Sequence, residues 1–172
     1  MSVKKILIEP NKLLRQVSKS VEKVGNEERV LMDDMLETMY EAPGIGLAAI
    51  QIGVPIRIIV MDISRDENKK EPRFFVNPVI KNKNQEMAKY EEGCLSVPDQ
   101  FAEIERPNTC EVEYLDYDGK KQVLKADGLL ATCIQHEMDH LEGVLFIDYL
   151  SKLKRSMIIK KLSKIKIDRE IF

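Results

Sequence analysis

The chain has 172 residues and a net charge of −2, with 44% apolar and 33% charged residues. This balance excludes a disordered tract, a collagen-like fibre and a disulfide scaffold, and a chain of this length can bury one core without needing a metal merely to fold. No apolar run approaches the roughly 18–20 residues of a membrane span, so a soluble protein of the cytoplasm is expected, with no membrane partner.

The first residues, MSVKKILIEPNK, have too short an apolar stretch for a secretory leader and too little Arg and Ser for a transit peptide. A short helix is expected over 11–17, after Pro10. Residues 26–42 carry acids in the first turn and Val30, Leu31, Met35 and Met39 at helical spacing. That pattern predicts an amphipathic helix with Asn26 as its N-cap, ended by Pro43-Gly44. Residues 56–63 and 73–80 read as strands, with the polar stretch 64–72 as a loop between them. Residues 110–117 alternate, Asp118-Gly119 is a hairpin turn, and 120–126 is the returning strand. A helix over 128–142 is closed by Gly143, and a last helix covers about 150–167. No repeat or composition shift marks a boundary, so residues 1–172 are expected to be a single domain. Its class is α+β, with antiparallel or mixed sheets around a central helix, helices at the N-terminus and one helix at the C-terminus.

Charge is unevenly spread. Residues 151–172 hold eight basic residues (Lys152, Lys154, Arg155, Lys160, Lys161, Lys164, Lys166, Arg169) against Asp168 and Glu170, a net of +6 that leaves −8 on the first 150 residues. An acidic body with a basic tail points to an anionic partner. The three cysteines, Cys94, Cys110 and Cys133, are an odd count in a chain with no expected leader. A reducing compartment is the better reading.

Both histidines of the chain lie in His136-Glu137-Met138-Asp139-His140. Two randomly placed histidines fall four apart about 1% of the time, and a glutamate directly after the first makes the coincidence rarer still. Residues four apart stack on one helix face, so two imidazoles there can share one cation. Glu137 points off that line and is free to act as a base on water. Asp139 is a candidate partner for the other N–H of a liganding imidazole. With no third histidine, the third ligand must be a cysteine or carboxylate. Cys133 is set aside because helical side chains tilt toward the N-terminus, away from a cation held between His136 and His140. Cys110, in an alternating strand, reads as a small buried hydrophobe. Cys94, in Glu92-Gly93-Cys94-Leu95-Ser96, could present a thiolate and an N–H side by side, though residue type alone leaves the choice open. Leu129, Cys133, His136 and His140 form one stripe, which predicts a substrate with an apolar side chain near the scissile group. Leu130, Ile134 and Leu141, on the neighbouring face, read as core.

Gly44-Ile45-Gly46-Leu47-Ala48-Ala49 matches the dinucleotide fingerprint G-x-G-x-x-A, but a helix precedes it where a strand is needed. A flexible lead into an extended strand, with backbone groups free to pair and Gln51 at its end, fits better. The H-E-x-x-H motif by itself also admits a general metallopeptidase, or a non-catalytic binding module stabilised by a metal.

Three segments taken together, Gly44 to Gln51 (G-x-G-L-A-A-x-Q), Glu92 to Ser96 (E-G-C-L-S) and His136 to His140 (H-E-x-D-H), resemble the peptide deformylase family, and the similarity runs along essentially the whole chain. The resemblance implies an enzyme that removes the formyl group from the N-terminal methionine of newly made polypeptides and releases formate. It implies Cys94, His136 and His140 as ligands of one divalent ion, generally ferrous iron, replaceable by zinc, nickel or cobalt. Glu137 would be the general base and acid. Gln51, through its amide, and Leu95, through its backbone N–H, would serve the oxyanion. Ile45, Gly46 and Gly93 would pair with the substrate backbone, and Ile45, Tyr90, Leu129, Thr132, Cys133 and His136 would form the methionine pocket. Relatives often have an arginine in place of Phe101 and an aliphatic residue in place of Tyr90, while Arg106 is kept. The same likeness suggests that the basic helix over 151–172 docks on ribosomal RNA; no role on DNA is implied.

Overall fold

The computed structural model describes residues 2–64 and 66–171, the stretch 166–171 by backbone alone. After a short 3-10 turn at Lys12–Arg15, the elements in chain order are α1 (Asn26–Glu41), β1 (Gly46–Ala48), a 3-10 turn at Ala49–Ile52, β2 (Ile58–Met61), β3 (Arg73–Lys83), β4 (Met87–Cys94), β5 (Val97–Pro107), β6 (Thr109–Leu115), β7 (Lys121–Asp127) and α2 (Gly128–Leu141). A 3-10 turn at Phe146–Tyr149 then leads into α3 (Lys152–Ile171).

Five strands form one sheet in the order β1-β2-β3-β6-β7, and β4 with β5 forms a separate hairpin sheet. Every ladder is antiparallel. The larger sheet is the middle of three layers, and β2 shows why. Its four residues are all buried, and strand side chains alternate between faces. Ile58 and Val60 pack with Met32, Met35 and Met39 of α1. Ile59 and Met61 pack on the other face with Ala131, Ile134 and Leu141 of α2. An all-apolar run is therefore required here. A third cluster joins Val97 and Ile104 of β5 to Phe146, Ile147 and Leu162, which fastens α3 to the hairpin.

Several boundaries differ from expectation for physical reasons. Asn26 is the first residue of α1, not its cap; Gly25 holds the cap position, and its N–H donates to the Glu28 carboxylate at 2.9 Å. The helix expected over 11–17 is only the 3-10 turn, since the Asn11 side chain accepts from Leu13 N–H and closes a tight local turn. Gln51 lies in the 3-10 turn after β1. The sequence reading had no strands over 87–107, where β4 and β5 lie. Gly143 does stop α2: its φ is +74°, and a Cβ there would strike the Arg15 carbonyl. Among the described residues no helix is long and apolar enough to cross a membrane.

Candidate metal centre and cleft

Three elements converge on one point. α2 presents His136 and His140 one turn apart, and the two-residue turn Leu95-Ser96 that joins β4 to β5 brings Cys94 against them. One ligand atom from each of the three lies within 4.8 Å of the others, and Cys94 Sγ is 3.3 Å from His140 Nε2. The turn is tied down from outside the hairpin: Glu9 N–H donates to the Ser96 carbonyl at 2.9 Å, and Leu7 N–H to the Gln51 carbonyl at 2.7 Å. The N-terminal segment thus stitches the hairpin turn to the 3-10 turn that follows β1.

The imidazoles are prepared differently. His136 Nδ1–H donates to Glu92 Oε1 at 2.9 Å, which turns Nε2 toward Cys94. Glu92 is itself clamped by Arg106, from Nε at 2.7 Å and from Nη2 at 2.9 Å. A buried pair of this kind adds little net stability, because desolvation offsets attraction. Its effect here is orientation of the ring. Burial alone would lower the His136 pKa, but bonds to Cys94 and Glu92 outweigh it and hold the pKa well above its ordinary value. His140 is driven the opposite way, by burial and then by repulsion from His136 and Arg106, and stays neutral. The donor set fits a divalent cation of borderline softness: one sulfur, two imidazole nitrogens, and negative groups at Glu92 and Glu137 that favour positive charge. The residues present supply three ligands, so a fourth position would stay open.

Glu137 is buried beside the same point, with Oε1 4.0 Å from His136 Nε2 and Oε2 without a hydrogen-bond partner among the described residues. Burial pushes its pKa up to about 7. A carboxyl poised there exchanges a proton readily at neutral pH. It fits only because Gly46 of β1 faces it, where a Cβ would come within 2.8 Å of Oε1. Gln51 is oriented by Ala48 N–H, which donates to its Oε1 at 2.9 Å, so its Nε2 points to Ser96 Oγ (3.0 Å) and Cys94 Sγ (3.6 Å).

A cleft of about 910 Å³ opens onto these groups. Ile45 and Gly46 at the edge strand β1 form one wall, and Tyr90 and Gly93 of β4 form another. Leu129, Thr132 and Cys133 of α2 line its floor with His136. Two open strand edges facing each other can accept an extended chain between them. Cys133 belongs to this wall and not to the ligand cluster. Burial, then the nearby Glu137 and Glu92 charges, push its thiol up to about 12, so it stays protonated. Cys110, Ile134 and Leu141 are buried in the core. Phe101 stands 66% exposed at the rim, its ring against Gly93.

Asp139 does not reach an imidazole. It accepts from Arg106 Nη1 at 2.8 Å, and Glu92 takes the place expected for it. Glu92 and Ser96 were read from the sequence only as motif letters. The signal for Glu92 was available: in the alternation of β4 and β5, Glu92 and Arg106 are charged residues that fall on inward positions.

The family model for polypeptide deformylase matches residues 3–156. A peptide deformylase of Pelagibacter ubique (strain HTCC1062) is 86% identical over 171 residues, with 99% of each chain covered. The crystal structure of peptide deformylase from Ehrlichia chaffeensis superposes with a TM-score of 0.91 at 45% identity, covering 96% of this chain and 97% of that one. A peptide deformylase structure from Legionella pneumophila gives 0.91 at 43% identity, with 98% of both chains covered.

Replacing the sulfur ligand separates the two cysteines. Cys94→Ala is expected to lose bound metal, and Cys133→Ala to keep close to one equivalent, by elemental analysis of the purified proteins. The reverse pattern contradicts the cluster.

Proposed function

The chain belongs to the peptide deformylase family and is a metal-dependent hydrolase of the formyl amide, and from that premise we propose how its residues divide the work. The observation that carries the proposal is the meeting of Cys94, His136 and His140 beside a buried Glu137, at the floor of a cleft between two open strand edges.

The substrate is the formyl-methionyl N-terminus of a nascent polypeptide. Its backbone adds as a strand against Ile45, Gly46 and Gly93, and the methionine side chain enters the space between Ile45, Tyr90, Leu129, Thr132, Cys133 and the His136 ring. Supporting this is the apolar lining of the floor, which matches an unbranched thioether. A divalent ion, ferrous iron in the cell with zinc, nickel or cobalt able to replace it, would supply Lewis acidity toward water and a carbonyl. Cys94, His136 and His140 would hold it.

Glu137 takes the proton of the attacking water and later delivers it to the leaving amine. A carboxyl whose pKa lies near 7 suits both transfers. As water adds to the formyl carbon, its oxygen gains negative charge. Gln51 Nε2–H and the Leu95 N–H donate to that oxygen, and donors of this kind are each worth about 10²–10³ in rate. Collapse breaks the C–N bond and gives formate and a free methionine amine. The formyl hydrogen occupies almost no space, so a close-fitting floor excludes an acetyl methyl by contact.

The whole chain, 1–172, acts as one catalytic domain in the cytoplasm. Its basic C-terminal helix is assigned to phosphate of ribosomal RNA. Lys152, Lys154, Lys161 and Lys164 are exposed on α3, while Leu162 is buried beneath it. Lys166 and Arg169 lie outside the residues whose side chains are described.

Glu137→Gln is expected to keep its metal and lose at least about 10²-fold in turnover, read as formate released from a formyl-methionyl peptide. The wild type is expected to leave the acetylated peptide intact. Near-normal turnover by the variant contradicts the role of Glu137. For the helix, truncation would remove Leu162 from the core, so charge is the cleaner variable. Changing Lys154, Lys161 and Lys164 to Glu is expected to abolish salt-sensitive co-sedimentation with ribosomes and spare peptide deformylation. Unchanged co-sedimentation removes the ribosomal assignment.

A further inference from the structure

The clamp on Glu92 does not end at Arg106. Asp139 Oδ2 accepts from Arg106 Nη1 at 2.8 Å and also from the Tyr149 hydroxyl at 2.8 Å. The guanidinium lies over the Tyr149 ring, 5.0 Å from its centroid. An unbroken series of contacts therefore runs Tyr149, Asp139, Arg106, Glu92, His136. It passes from water to a dry interior: Tyr149 is 53% exposed, whereas the Arg106 and Glu92 side chains are each 5% exposed.

We propose that Tyr149 is a positioning residue for the metal centre, acting on His136 through Asp139, Arg106 and Glu92. Two physical effects carry it. Its ring covers one face of the Arg106 guanidinium, which keeps water from the Arg106–Glu92 pair and so keeps the local dielectric low. Its hydroxyl takes up part of the Asp139 charge. Asp139 otherwise draws the guanidinium toward the surface, away from Glu92. With the ring and hydroxyl in place, Arg106 spends Nε and Nη2 on Glu92, and Glu92 Oε1 stays in line with His136 Nδ1–H. That bond fixes the tautomer and direction of a liganding imidazole, and such outer partners govern how firmly a metal is held. Tyr149 is half-exposed at the end of the 3-10 turn that leads into α3 and makes no part of the cleft wall, so neither the core nor the substrate explains its contacts.

The inference rests on the metal centre proposed above, and the test separates the two. The wild type, Tyr149→Phe and Tyr149→Ala are loaded with zinc, and metal release to a chromogenic chelator is followed in time. Tyr149→Ala is expected to release zinc about three- to tenfold faster than the wild type, with Tyr149→Phe between them because it restores the ring. The His136 Nδ1–H proton resonance of the zinc form is expected to move upfield in the Ala variant. The thermal midpoint of the metal-free proteins is expected to stay the same, since a surface ring adds little to the core. Equal release rates in all three proteins overturn the positioning role and leave the metal centre standing. Faster release matched by an equal loss of metal-free stability also overturns it, by showing a merely structural residue. A wild type that holds no equivalent of zinc overturns the metal centre and the relay together.

Discussion

The site depends on one thiol from a hairpin turn meeting two imidazoles that stand more than 40 residues later in the chain, on one helix. The helix half of that meeting is local, because a four-residue spacing places two rings on one face whatever else the chain does. The hairpin half is not. Cys94 reaches α2 because β4 and β5 fold as a sheet of their own, because Phe146 and Leu162 pack beneath β5, and because Glu9 and Leu7 tie the turn to the 3-10 turn after β1. The three-layer core places α2, and the second sheet delivers the sulfur to it.

The same division explains what could be read in the sequence. The His136–His140 helix, α1, the β6–β7 hairpin around Asp118-Gly119 and the buried strand β2 all follow from short-range pattern, and Gly119 has the positive φ that its turn requires. The β4–β5 hairpin was missed because Lys89, Glu91, Glu103 and Glu105 make the segment look like a polar loop. Those residues are the exposed half of a strict alternation whose other half, Tyr90, Glu92, Ile104 and Arg106, faces inward. Two opposite charges on the inward half are the mark of a built site, since buried charge persists only when it is paired.

Asp139 shows the limit of reasoning from spacing. Its proximity to the histidines in sequence suggested a direct bond to an imidazole, yet on the helix it turns outward to Arg106 and Tyr149. The carboxylate that does serve His136 comes from another element, as the clamp needs: Glu92 lies in the same hairpin as Cys94, so one strand supplies both a ligand and the partner of a second ligand. Gly46 makes the complementary point for the base. Glu137 can be buried and poised near pH 7 only because the facing strand lacks a side chain there.

The central claim concerns the ion's surroundings, and X-ray absorption at the metal edge reads them directly. The account predicts one sulfur neighbour at about 2.3 Å and two imidazole nitrogens at about 2.0–2.1 Å, with the remaining neighbour a light atom from solvent. A shell without sulfur, or one closed by four protein ligands, would contradict it.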